Sequence, residues 1–250
     1  MKVYIPESAM AIVAHPDDIE FTCAGTLARW AQAGAKICYV LCTSGEVGIS
    51  KNSMTREEAL EIREAEQRKA AEIAGAAEVI FLRYPDGMLE ATMDLRKDLV
   101  RQIRRFKPEV IVTGDPAVLW ASEGYINHPD HRAAAQAALD AAFPAAGQPH
   151  LFQELEDEGL VAHKVRKIYA YSRDEVNEYI SIDDSIEVKI QALRAHASQM
   201  KDWDPAPYIK ERAADRAKGL EAEYAEAFRV VTLESDEDWS QYKGDVIHRP

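Results

Sequence analysis

The sequence predicts an α/β protein: a three-layer, doubly wound (Rossmann-like), mostly parallel sheet. Two observations carry that expectation. Short β-rich runs alternate with long helical patterns, as parallel strands joined by crossover helices require. The residues able to do chemistry cluster where the expected strands end, which is where such sheets place their ligand crevice. Met10 to Ala14 reads as the first strand, Gly25 to Ala33 as helix and Lys36 to Cys42 as strand. Thr55 to Ala74 is a long helix closed by Gly75, and Val79 to Leu82 a short strand. Leu95 to Phe106 is a helix stopped by Pro108, Val110 to Thr113 a strand, and His131 to Ala142 a helix halted by Pro144. From Phe143 to Lys164 the pattern lapses into Pro, Gly and scattered acids, a lid or an excursion. Lys167 to Tyr171 and Glu178 to Ile182 then read as strands. Asp183 or Asp184 is expected to cap a helix from Ser185 to His196, and Pro207 to Phe228 to form another. The tail after Val231 carries Trp239 and Tyr242 and packs either on a neighbour or on the body.

The chain has 250 residues, 47% apolar and 29% charged, enough for one large domain over its whole length. Its 43 acidic against 30 basic side chains leave a net charge of −13, which opposes binding to nucleic acid. The first apolar run is too short for a signal segment or a membrane span, so a cytoplasmic protein without a membrane partner is expected. Cys23, Cys38 and Cys42 have no CxxC spacing and read as buried free thiols. The basic cluster Arg101, Arg104, Arg105 and Lys107 reads as a solvated helix face. No GxGxxG follows the first strand and no GxSxG elbow occurs, so dinucleotide and serine-nucleophile chemistry lack their signatures.

Two constellations remain. His15-Pro16-Asp17-Asp18, directly after the first strand, puts an imidazole and at least one carboxylate into the crevice, donors that suit a zinc-like ion. A helix start would use the same Pro and Asp for φ preference and dipole alone. Asn127-His128-Pro129-Asp130-His131 opens the fifth long helix; Asn127 or His128 caps it, and His131 lies about one turn on. Three of the seven histidines fall in these two clusters, and His196 reads as a core or supporting histidine.

The AHPDDxE pattern at 14–20 followed by HPDH at 128–131 resembles the PIG-L/LmbE-like family of zinc-dependent N-acetylglucosaminyl deacetylases. Further marks agree: Thr43-Ser44-Gly45-Glu46, Arg63 twelve residues before Gly75, Pro85-Asp86-Gly87, Asp115-Pro116, and Lys189 with His196-Ala197-Ser198-Gln199. The likeness runs from about residue 10 to 229. It implies one Zn²⁺ per chain held by His15, Asp18 and His131, with another divalent metal as an alternative. It further implies Asp17 as general base, His128 as the group that stabilises the acyl oxygen, and Asp130 as the residue orienting the His128 ring. Arg63 and Asp86 match positions that hold sugar hydroxyls, and Tyr125 either approaches substrate or packs. The implied reaction frees acetate from an N-acetylated amino sugar. Amide hydrolysis of a thiol or glycoside conjugate, and a non-catalytic metal-containing sugar-binding module, are the alternatives. The family also implies a homo-oligomer, trimer or hexamer.

Overall fold

The computed structural model describes residues 4–49, 54–172 and 175–247. The chain runs β1 (Ser8–Val13), α1 (Asp18–Thr22), α2 (Ala24–Gln32), β2 (Lys36–Thr43), α3 (Arg56–Ala74), β3 (Glu78–Tyr84), α4 (Met93–Phe106) and β4 (Val110–Gly114). It continues through β5 (Trp120–Ser122), β6 (Tyr125–Ile126), α5 (Pro129–Ala142), α6 (Gln153–Asp157), β7 (Lys167–Tyr171), β8 (Glu178–Ser181), α7 (Ile186–Arg194) and α8 (Ala197–Met200). It ends with α9 (Ala206–Ala217), β9 (Ala225–Thr232) and α10 (Asp236–Ile247). Seven strands form one sheet in the order β3-β2-β1-β4-β7-β9-β8, and β5 and β6 make a separate hairpin. β3, β2, β1, β4 and β7 are mutually parallel, whereas β9 is antiparallel to both its neighbours. The expected fold class is therefore the observed one.

β1 explains the three layers. Met10 and Ile12 point to one face and pack with Leu95, Leu99 and Ile103 of α4 and the alanines of α5. Ala9, Ala11 and Val13 point to the other and pack with Leu27 and Trp30 of α2 and Ala70, Ala71 and Ala74 of α3. Successive residues of a strand face opposite ways, so a strand apolar at every position must be covered on both sides. The chain winds from β1 through β2 to β3 on one side, then returns to place β4 on the other flank of β1. That reversal makes the carboxyl ends of β1 and β4 the topological switch point, where a crevice opens between diverging loops.

The helix starts follow local chemistry. Thr55 and Glu58 form a reciprocal capping box, and Gly75 closes α3 at φ 79°, where a side chain would be strained. His128 is the cap of α5, its Nδ1 accepting from the Asp130 N–H, so that helix starts at Pro129 rather than at His131. Ser185, not Asp183 or Asp184, precedes α7. Asp183 instead accepts from the Glu223 and Tyr224 amides, tying the loop after β8 to the approach to β9.

Two expectations are corrected. The helix expected from Pro207 to Phe228 stops at Ala217, and β9 follows. Glu226, 5% exposed inside that strand, breaks the apolar alternation; it is satisfied by Lys189 and by the Gly25 and Thr26 amides at the start of α2. Arg104 is not on a solvated face: it is fully buried and donates to the carbonyls of Ala146, Gln148 and Leu151, among others. The segment 143–164 is thereby gathered under the C-terminal end of α4, and His163 reaches the Pro108 carbonyl just before β4. Strand β4 starts there, and the switch point lies at its other end. The tail packs on the body through buried Trp239 and through Tyr242, whose hydroxyl meets His163. Cys23, Cys38 and Cys42 are free and buried, as expected.

Candidate metal centre

Four loops converge at the switch point: those after β1, β2 and β3, and the stretch between β4 and α5. The loop after β1 turns sharply. Asp17 sits at φ 81°, and the Asp18 carboxylate folds back to accept from the His15 amide at 2.9 Å. Asp18 Oδ1 lies 3.0 Å from His131 Nε2, His131 Nε2 lies 3.2 Å from His15 Nδ1, and His15 Nδ1 lies 3.7 Å from Asp18 Oδ2. Donors about 2.1 Å from a tetrahedral zinc stand roughly 3.4 Å apart. The edges of this His-Asp-His triangle bracket that spacing, and its donor atoms meet the requirements of a metal site.

The far nitrogens of both rings are held. His15 Nε2 faces Asp86 Oδ1 at 3.0 Å and Asp130 Oδ2 at 3.2 Å, and His131 Nδ1 faces Asn127 Oδ1 at 3.2 Å. Carboxylate or carbonyl partners behind a ligating imidazole fix its ring orientation and raise its basicity. A second donor group, His15 with His128 and Asp130, shares His15. There His128 Nδ1 already accepts the Asp130 amide at 3.2 Å, and the Asp130 oxygens accept from the Gly87 and Leu89 amides. The first triangle is the one with free lone pairs.

Electrostatics favour positive charge here. Burial works against a charged His15, but hydrogen bonds to Asp130 and Asp86 and the Asp18 charge raise it to about 10. His131 is also raised against burial, chiefly by Asp18. Asp18, Asp86 and Asp130 are all lowered against burial by the imidazoles beside them. A divalent cation answers the same field that otherwise retains protons on these rings. His128 differs: burial and the neighbouring His15 charge lower it, so its ring is neutral near pH 7. Since its Nδ1 accepts, its Nε2 carries the proton and is the donor left for a ligand.

Asp17 stands outside the triangle. Burial raises its carboxyl to about 6, with the Arg63 charge opposing and Asp18 adding. Arg63, 3% exposed, donates to Asp17 Oδ2 at 3.2 Å and to the Pro16 carbonyl at 2.7 Å. Gly45 admits that guanidinium: at φ 66°, a Cβ would stand 2.8 Å from Arg63 Nη2. Tyr125, on the β5–β6 hairpin, is half exposed and feels the Asp18 and Asp17 charges.

Three residues to which the resemblance gives a role have further partners in the site. Asp86 is 7% exposed with both oxygens engaged, Oδ1 on His15 and Oδ2 on the Val47 amide. Arg63 likewise holds Asp17 and the Pro16 carbonyl. Asp130 touches both rings: its amide donates to His128 Nδ1 at 3.2 Å, and its carboxylate lies 3.2 Å from His15 Nε2. Sequence reasoning missed Gln67 and Glu20, which lie beneath Asp17, and the contact of Asn127 with His131. Gln67 falls four residues after Arg63, one turn on along the same helix face, which is the only signal that marks it. From the Asp86 contacts we expect Asp86→Ala to weaken metal affinity by about 10- to 100-fold, the usual consequence of losing such a support. Titration with a competing chelator measures this; unchanged affinity with a raised KM would return Asp86 to sugar binding.

A doubly wound sheet with a His-Asp-His donor triangle at its switch point defines a class: Rossmann-like α/β proteins with a site able to hold a metal. Within that class the chain belongs to the PIG-L family, described as GlcNAc-PI de-N-acetylase, whose sequence model matches residues 10–142. It is 30% identical over 230 residues to diacetylchitobiose deacetylase of Thermococcus kodakarensis, covering 90% of this chain and 83% of that protein. It is also 30% identical to the 1D-myo-inositol 2-acetamido-2-deoxy-alpha-D-glucopyranoside deacetylase of Rhodococcus erythropolis, covering 76% of this chain and 80% of that one. Among solved structures, N,N'-diacetylchitobiose deacetylase from Pyrococcus horikoshii superposes with a TM-score of 0.83 at 27% identity, covering 91% of this chain and 84% of that chain. Among the described residues no helix is long and apolar enough to cross a membrane.

Proposed function

We propose that the chain is a metal-dependent hydrolase, with zinc as its metal, that removes the N-acetyl group from an N-acetylglucosamine-type sugar. The observation that carries the reading is the pairing of a donor triangle with a carboxylate, Asp17, that is adjacent to it but takes no part in it. A binding module has no use for such a carboxylate; hydrolysis of an amide needs one. His15, Asp18 and His131 would hold the cation, which supplies Lewis acidity toward the acyl oxygen and toward water. Asp17, with a carboxyl near 6, is mostly ionised at neutral pH and can take a proton from the attacking water. The same carboxyl, once protonated, can pass that proton to the departing amine. His128, neutral and protonated at Nε2, donates toward the oxygen on which charge develops. Arg63 keeps Asp17 in place, and Tyr125, half exposed and near Asp17 and Asp18, is the aromatic assigned to the sugar.

The relatives named for diacetylchitobiose and for a GlcNAc-inositol support an N-acetylglucosamine unit with a variable second group. Acetate release from N-acetylglucosamine, diacetylchitobiose, an inositol-linked and a thiol-linked N-acetylglucosaminide, before and after chelation and zinc restoration, tests this. We expect release from at least one member, abolished by the chelator and restored by zinc. Binding of a sugar without release from any of them would favour the sugar-binding module.

A further inference from the structure

We infer that Gln67 is the positioning residue that fixes the backbone of Asp17, clamping the Pro16–Asp17 peptide so that the carboxylate stands beside the donor triangle. The inference rests on the deacetylase reading for what Asp17 does, and on the following geometry for how it is held. The carbonyl of Pro16 and the N–H of Asp17 belong to one peptide unit. Arg63 donates to that carbonyl at 2.7 Å, and Gln67 Oε1 accepts from that N–H at 3.0 Å. The two side chains are one turn apart on α3, so a single rigid helix grips both poles of one peptide. Asp17 needs such a grip, because at φ 81° it occupies a region that side chains other than glycine rarely adopt.

The amide of Gln67 has one orientation only. Its Nε2 donates to Glu20 Oε1 at 3.0 Å, and Glu20 Oε2 stands 3.3 Å from His196 Nε2. Gln67, Glu20 and His196 are all fully buried. A flipped amide would set its donors against the Asp17 N–H and its oxygen against the Glu20 carboxylate. A carboxylate in its place would face Glu20 directly. Only an amide side chain both accepts from Asp17 and donates to Glu20. Three buried side chains, Glu20 on α1, Gln67 on α3 and His196 at the start of α8, thus run in a chain to the Asp17 backbone.

The test is Gln67→Met, which keeps the length and removes both hydrogen bonds, made in the wild-type and in the Asp17→Asn backgrounds. Acetate release, zinc content and NMR amide exchange at residue 17 are read for each protein. We expect kcat to fall about 10- to 100-fold in the wild-type background, the scale of a misplacement of about 1 Å. KM and zinc content should stay within about twofold. In the Asp17→Asn background the same substitution should change kcat little, since there is no base left to misplace. The residue 17 amide should exchange faster. A loss of equal size in both backgrounds would overturn the inference, because Gln67 would then act through general packing. Wild-type kcat or unchanged exchange would overturn it as well. If the unaltered protein releases no acetate, the deacetylase reading fails by itself, and the exchange of that amide still decides whether Gln67 clamps it. Should Gln67→Met fail to fold because Glu20 loses its donor, the double variant with Glu20→Gln, compared with Glu20→Gln alone, gives the same readings.

Discussion

Asp17→Asn is expected to lower kcat for acetate release by about 10² to 10⁴, the span typical of a positioned general base, with metal content and sugar affinity retained. The amide is nearly isosteric, and its oxygen can still accept from Arg63 Nη1, which now sits 3.2 Å from Asp17 Oδ2. What it cannot do is take a proton from water. Its neighbour gives the contrast. Asp18 supplies the oxygen 3.0 Å from His131 Nε2, so Asp18→Asn should weaken metal binding first and activity only as a result. Zinc content, ligand affinity and acetate release measured in parallel separate the two; full turnover in Asp17→Asn would remove it as the base.

Complete loss of bound metal is the expected result of His131→Ala, and also of His15→Ala, because two donors do not hold zinc as three do. The two variants should differ in stability. His131 pairs one buried carboxylate, Asp18, besides the neutral Asn127 side chain, whereas His15 separates two others, Asp86 and Asp130. Removing His15 takes the imidazole from both and leaves them only their backbone amides, so His15→Ala should also unfold more readily. His131→Ala is therefore the cleaner probe. Stoichiometric metal in folded His131→Ala, by elemental analysis, would refute the ligand assignment.

Much of this was legible in the sequence, for identifiable reasons. β1 is apolar from Ala9 to Val13 and is followed, after Ala14, by His-Pro-Asp-Asp, so pattern and chemistry mark the same spot. The second cluster is marked by Pro129, whose place at the start of α5 sets His128 and His131 on adjoining turns. Sequence gives adjacency along the chain, however, and not who faces whom across the crevice. Asp86 and Arg63 are marked only by matching family positions, and spacing cannot show that each also pairs with a neighbour from another loop, His15 and Asp17. β9 stayed hidden for a related reason: its buried Glu226 reads as a surface residue until Lys189 and two helix amides are seen around it. Gln67 belongs to no motif at all, since an amide acquires its role only from the two groups between which it is wedged.

The donor triangle also links the cation to the order of folding. His15 and His131 are 116 positions apart, and the strand that delivers the second must first be laid against β1 after the excursion through β2 and β3. A growing chain that has not yet reached α5 presents His15 and Asp18 alone, a pair too poor to retain zinc. On the proposed ligand set, ion capture would wait for the central crossover to close, and occupancy would report a finished topology rather than a finished loop. A seated ion would oppose the opening of that long closure by mass action, so the atoms proposed to serve catalysis would also latch together the two halves of the sheet.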